Sequence, residues 1–91
     1  MAQPNLVQEL KKKRKKIDLI DHKLLTLLNL RLRTALKMGK IKKEMGKKVY
    51  DPKREKEVLK RLKSKNKGPL KEKDLKEIFK TIMKFCRRSQ M

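Results

Sequence analysis

The segment from residue 6 to residue 45 constrains this chain more than any other, because it reads as one unbroken helix. Leu10, Ile17, Ile20, Leu24, Leu27, Leu28, Ala35, Met38 and Ile41 recur at steps of three and four, and no proline interrupts them. That is the helical period. At ~1.5 Å per residue such a helix extends about 60 Å. A chain of 91 residues cannot wrap a compact core around so long a rod unaided. The helix therefore calls for a partner. Toward its buried side it carries three cations, Arg14, Arg31 and Lys42, which call for an anion.

The rest of the chain is punctuated by local signals. Pro4 and Asn5 open the first helix, with Asn5 as N-cap and Gln8 three residues on in a weak capping box. Gly46 is placed to take a left-handed conformation at the helix end. Asp51 then caps a second helix that starts at Pro52, where a missing N–H costs nothing. This helix carries Val58, Leu59 and Leu62 inward, and Asn66, Gly68 and Pro69 mark the loop that ends it. A third helix runs from about Lys71 to the end, with Leu75, Ile78, Phe79, Ile82, Met83 and Cys86 on one face. There is no strand candidate, internal repeat or linker. The expectation is an all-α fold, a single domain over residues 1–91, with one very long helix, one short and one medium.

Charge narrows the function. Thirty Lys and Arg against ten Asp and Glu give a net charge of +20, which attracts phosphates, anionic lipid or small polyanions. The run KKKRKK at 11–16 reads first as a solvated helix surface and, more sharply, as a nucleic-acid or membrane patch. Arg14 differs from its neighbours, because it lies one turn before Ile17 and Asp18 at the edge of the apolar stripe. Tyr50, Phe79 and Phe85 are too few to stack single-stranded nucleic acid. With 36% apolar residues a small monomer would be marginal, so burial between protomers is the expected source of stability. The lone Cys86 forms no intramolecular disulfide and fits a reducing compartment. The opening MAQPNLVQEL lacks a basic stretch leading into an apolar run, and no 18 consecutive residues are apolar. A cytoplasmic protein without a membrane span is expected.

Helical phase sorts the cations. Arg31 and Lys42 are eleven residues apart, so they share a face to within ~20° and stand ~16 Å apart along the axis. Ala35 and Met38 lie between them on that face with Gly39 close by, either leaving room for a ligand or packing against another helix. Arg14 sits ~25 Å from Arg31 along the axis and about 100° out of phase. It cannot serve the same ligand from the same helix, but two antiparallel copies would each lend Arg14 to the other's pocket. Gln90 continues the apolar face of the third helix four residues after Cys86. It either frays with the C-terminus or is buried, and a buried amide needs a hydrogen-bond partner.

Familiar catalytic sets are missing. His22, the only histidine, lies among charged neighbours without ligand spacing, so no metal site is expected. Cys86 has no histidine to activate it, and there is no glycine-rich phosphate loop. What remains is several cations, Glu55 and Gln90. Such a set binds a small dianion and stabilises charge without covalent chemistry.

At this point a family resemblance emerges. Arg14-x-x-Ile17-Asp18-x-Ile20-Asp21, followed by Leu24-Leu25-x-Leu27-Leu28-x-x-Arg31, resembles the all-helical class of chorismate mutase. So do Gly39-x-x-Lys42, the run Val49-Tyr50-Asp51-Pro52-x-Arg54-Glu55, and Ile78-Phe79 leading to Cys86 and Gln90. The resemblance covers nearly the whole chain in order. It implies an intertwined homodimer of three-helix protomers, no cofactor, and the Claisen rearrangement of chorismate to prephenate in aromatic amino-acid biosynthesis. That pericyclic step needs no nucleophile.

Carried onto this sequence, the resemblance implies that Arg31 and the partner protomer's Arg14 grip carboxylates through charge-assisted hydrogen bonds. Lys42 and Gln90 would donate to the ether oxygen, and Glu55 would accept from the ring hydroxyl. Asp51 and Arg54 would line that side. Cys86 stands where the family commonly has a small hydroxyl residue, and its weaker donor makes it either a carboxylate contact or a packing residue. The nearest rival is isochorismate pyruvate-lyase of the same fold, against which the polar Asp51-Pro52-x-Arg54-Glu55 run speaks. The more distant rival is a basic helical nucleic-acid binder. Against it, the excess lysine reads as surface, which fits a heat-adapted or compositionally biased source or serves to steer an anionic substrate inward. No segment for binding phenylalanine or tyrosine is evident, so no feedback regulation within these residues is expected.

Overall fold

The computed structural model describes residues 4–91, and every regular element among them is a helix. α1 spans Pro4–Glu44, α2 Pro52–Lys65 and α3 Glu72–Ser89. The expected number and order of helices hold. One end differs: α1 begins at Pro4, so Asn5 lies inside the first turn rather than capping it. Proline is well suited to a first turn, whose N–H groups lack intrahelical partners anyway.

The other helix ends are set by local chemistry. Gly46 adopts φ 66°, its N–H donates to Lys43 O at 3.1 Å, and the Lys47 N–H reaches back to Lys42 O at 2.8 Å. This pair of bonds is a Schellman turn, which a glycine in the left-handed region makes without steric cost. It folds the chain back so that Val49 returns to the last turn of α1. There the Val49 carbonyl accepts from Lys42 Nζ at 3.0 Å. α2 is capped as expected: Asp51 Oδ1 accepts from the Arg54 backbone N–H at 3.1 Å, and Pro52 occupies the first turn. Asn66 ends α2 and organises the loop beyond it, donating from Nδ2 to Leu70 O at 2.7 Å and accepting from the Gly68 N–H at 3.0 Å. The Gly68–Pro69 peptide bond is cis.

The chain divides into two units, with the boundary between Leu30 and Arg31. In the second unit α2 packs along α3, and the core is small: Ala35, Leu75, Met83 and Cys86 are buried. Val58, Leu59 and Leu62 of α2 reach half-burial, as do Phe79 and Ile82 of α3. Ile78, expected on the inner face, is 47% exposed. At 100° per residue it stands roughly 90° from the centre of the arc defined by Leu75, Phe79, Ile82, Met83 and Cys86, which places it at the edge of the contact.

The first unit is helical from Pro4 and has no core of its own. Ile17, Leu24 and Leu27 are 55%, 50% and 61% exposed, and Leu6, Leu10, Leu19, Ile20 and Leu25 are exposed as well. Only Leu28 of this stripe reaches half-burial. The cations of KKKRKK are exposed, as is His22, whose carbonyl accepts from Thr26 Oγ1.

Candidate active site

The second unit contains a pocket of about 330 Å³. Its wall on α1 consists of Arg31, Thr34, Ala35, Met38 and Lys42, all on one helical face. Val49, Asp51, Arg54, Glu55 and Val58 close it from the capping segment and α2, and Met83, Cys86, Arg87 and Gln90 from α3. Of the residues singled out in the sequence, Arg31, Lys42, Asp51, Arg54, Glu55, Cys86 and Gln90 meet here. Arg14 belongs to the first unit, where it is exposed, and is not among the lining residues.

Each polar side chain is held by a local partner. Lys42 spends one of its three donors on the Val49 carbonyl, so the Schellman turn fixes the ammonium at the pocket wall. Arg31 donates from Nη1 to Cys86 Sγ at 3.1 Å. Cys86 is 3% exposed. Within this chain its thiol thus acts as an acceptor that steadies Arg31. Asp51 divides its work between capping α2 and lining the pocket. Arg54 pairs with Glu57 one turn on at 3.8 Å, and both are about half exposed, so this bond is a weak tether.

Gln90 is half-buried and ordered by its contacts rather than frayed. It caps α3, and Nε2 donates to Cys86 O at 3.3 Å. Its side chain lies against Gly39 of α1: a Cβ there would stand 2.9 Å from Gln90 Cγ and 3.3 Å from Oε1. Gly39 therefore serves close packing, while its neighbours Ala35 and Met38 face the pocket. Gln90 Oε1 is buried without a hydrogen-bond partner. Such an atom costs about 1–3 kcal/mol until something bonds to it.

One residue escapes a reading of the sequence. Arg87 donates from Nη1 to Glu55 Oε2 at 2.5 Å, and its guanidinium carbon lies 4.5 Å from the centre of the Tyr50 ring. The pair is half-buried, at 27% and 25% side-chain exposure. A signal is present all the same. Met83, Cys86, Arg87 and Gln90 follow one another at steps of three, one and three, the spacing of a single helical face.

With Arg87 included, four cations and two carboxylates line the pocket. The site is electropositive and rich in donors, and it suits a small anion with more than one acidic group. Among the described residues no group of three or more His, Cys, Asp or Glu is placed to hold a metal ion. Nor is any helix long and apolar enough to cross a membrane.

Comparison with known proteins is consistent with this geometry. Residues 13–91 match the family described as chorismate mutase type II. A bifunctional chorismate mutase/prephenate dehydratase from Neisseria gonorrhoeae is 40% identical over 73 residues, covering 80% of this chain and 20% of that protein. The chain thus spans about a fifth of the length of the curated relatives it matches. Two solved structures are similar over nearly their whole length. Chorismate mutase (form II) from Thermus thermophilus superposes with a TM-score of 0.88 at 33% identity, covering 90% of this chain and 93% of that one. Chorismate mutase from Helicobacter pylori in complex with prephenate gives a TM-score of 0.84 at 37% identity, with 91% and 90% covered.

Proposed function

The chain belongs to the type II chorismate mutase family, and from that premise we propose that it catalyses the rearrangement of chorismate to prephenate as a homodimer. The observation that carries the reading is the convergence of Arg31, Lys42, Asp51, Arg54, Glu55, Cys86 and Gln90 on one pocket without a nucleophile or metal set among the described residues. The reaction breaks the ether C–O bond as a C–C bond forms, and no proton enters or leaves. Its barrier is lowered by holding the enolpyruvyl arm over the ring and by donors aimed at the ether oxygen, where negative charge builds. Fixing reacting groups in one geometry can supply about 7–11 kcal/mol, and each well-placed donor to a developing oxyanion about 3 kcal/mol.

In this reading Arg31 grips a carboxylate while Cys86 steadies it. Lys42 uses its donors beyond the Val49 bond on the ether oxygen, and Gln90 supplies the second donor through its amide. The Gln90 amide lines the pocket, and its Nε2 holds the Cys86 carbonyl only by a long bond of 3.3 Å, so turning that N–H toward a ligand oxygen gives up little. Glu55 accepts from the ring hydroxyl, beside Asp51 and Arg54. The partner protomer's Arg14 completes the site. Support for the dimer comes from the first unit: its exposed apolar stripe is a liability in water that a second copy would cover, at about 25 cal/mol per Å² buried.

The test is a direct assay. Purified protein is given chorismate, and loss of chorismate and appearance of prephenate are followed. Turnover by a dimer is expected. A folded dimer that leaves chorismate intact overturns the proposal. Pyruvate released from isochorismate, with chorismate untouched, moves the assignment to the lyase. Salt-dependent binding of duplex DNA or RNA without turnover moves it to a nucleic-acid binder.

A further inference from the structure

Arg87 stands among the pocket residues with no role in the chemistry just described. Its surroundings limit what it can do. One edge of the guanidinium is taken by Glu55 Oε2, and one face is covered by the Tyr50 ring. A planar fork held on an edge and a face keeps a fixed direction and has little freedom left to close on a ligand. Glu55 is held in turn. The bond to Arg87 ties its Oε2 to the end of α3, the helix packed beside the one that carries it, and leaves Oε1 as the acceptor available to a ligand.

Charge adds a second reason for the pair. Asp51 and Glu55 both line a pocket proposed to take a dianion, so an unpaired Glu55 would repel the ligand it is meant to orient. The Arg87 guanidinium offsets that repulsion without removing the acceptor. Glu55 can then take a hydrogen bond from a hydroxyl while the pocket as a whole stays attractive to carboxylates.

We propose that Arg87 is a positioning residue that acts on the substrate's ring hydroxyl through Glu55, with Tyr50 as its platform. The inference rests on the reading of the pocket as a chorismate site. It makes the end of α3 a determinant of how the hydroxyl side of the substrate is held, in addition to the α2 residues that touch that side.

The experiment is a kinetic cycle on the full chain with chorismate, comparing wild type, Arg87→Met, Glu55→Gln, and the double variant. Methionine retains the apolar stem over Tyr50, and melting temperatures confirm that each variant folds. Arg87→Met is expected to lower kcat/KM by roughly tenfold or more, with at most a twofold further loss in the Glu55→Gln background. Arg87→Lys, which restores the charge without the fork, is expected to recover part of the loss. An equal loss in both backgrounds would mean that Arg87 touches the substrate itself and would overturn the proposal. Wild-type kinetics in a folded Arg87→Met would do the same. A wild-type protein inert toward chorismate overturns the functional reading and this inference together, whereas an active wild type with an indifferent Arg87 overturns the inference alone. If Arg87→Met fails to fold, Arg87→Lys carries the test: a loss that vanishes in the Glu55→Gln background supports the proposal, and one that persists overturns it.

Discussion

Gly39 and Gln90 share one volume: the space that a Cβ on Gly39 would fill lies 2.9 Å from Gln90 Cγ and 3.0 Å from its Cβ. No real Cβ tolerates the first of these contacts, so any larger residue at 39 must displace Gln90. The glycine is helical and is not needed for its φ. Its value is the closeness it allows between the last turns of α1 and the end of α3.

Gly39→Ala should therefore separate activity from stability. In a helix interior alanine is favoured over glycine by about 1 kcal/mol, which offsets much of the crowding. Gln90 stands at the C-cap of α3, held by one long side-chain bond to the Cys86 carbonyl, so its side chain can move outward at little cost. Unfolding by urea is expected to change by less than about 1 kcal/mol, whereas kcat/KM should fall at least ~tenfold, toward the value of Gln90→Ala. Wild-type turnover in Gly39→Ala would mean that the amide's position is irrelevant to the reaction.

Lys42 is anchored by the Val49 carbonyl and is proposed to donate to the ether oxygen. Lys42→Met keeps the stem and removes both bonds. The carbonyl belongs to a half-buried residue and can turn to water, so the stability loss should stay near ~1 kcal/mol. Turnover should fall by a hundredfold or more, the usual effect of losing about 3 kcal/mol of oxyanion stabilisation. Steady-state kinetics beside a urea titration read both, and a drop of less than tenfold would remove Lys42 from the ether oxygen.

Asp51 offers a way to tell a cap from a ligand contact. Asparagine accepts the Arg54 N–H as well as aspartate does, so Asp51→Asn should leave stability unchanged, while Asp51→Ala should lose about 1 kcal/mol. If the charge of Asp51 also shapes the pocket, Asp51→Asn will alter KM for chorismate at unchanged stability. An unchanged KM would confine Asp51 to capping.

The features that are legible in the sequence share a physical property. Gly46, the Asp51–Pro52 cap and the Asn66–Gly68–Pro69 loop act through backbone groups a few residues away, so their meaning travels with the local sequence. The pairing of Arg31 with Lys42 needs only rise and phase along one helix. What stays hidden depends on which helix ends meet. Arg87 acquires a role only when the end of α3 lies opposite the first turn of α2, and the Gly39–Gln90 contact arises only when α3 reaches α1. Cys86 reads from its sequence position as a weak donor, and its service as an acceptor for Arg31 requires both helices in place. Ile78 shows the converse limit, where a run of apolar residues makes the face read wider than the contact is.

The assignment of Arg14 to a partner's pocket yields the strongest test of assembly. Arg14 is exposed in the first unit, whose apolar stripe is also exposed, so both would be completed by the same second copy. Arg14→Ala and Arg31→Ala should each be nearly inactive, because a charge-assisted grip on a carboxylate is lost in every site of either homodimer. Mixed after partial denaturation and refolding, the two variants form heterodimers. In each heterodimer one site lacks both arginines, and the other draws Arg31 from the Arg14→Ala chain and Arg14 from the Arg31→Ala chain. With random exchange half of the dimers are mixed and each carries one intact site, so activity should return to about a quarter of wild type per protomer. Native mass spectrometry of differently tagged chains would measure the exchange. Recovery in proportion to the mixed species would establish the shared site, and confirmed exchange without recovery would place Arg14 and Arg31 in separate roles.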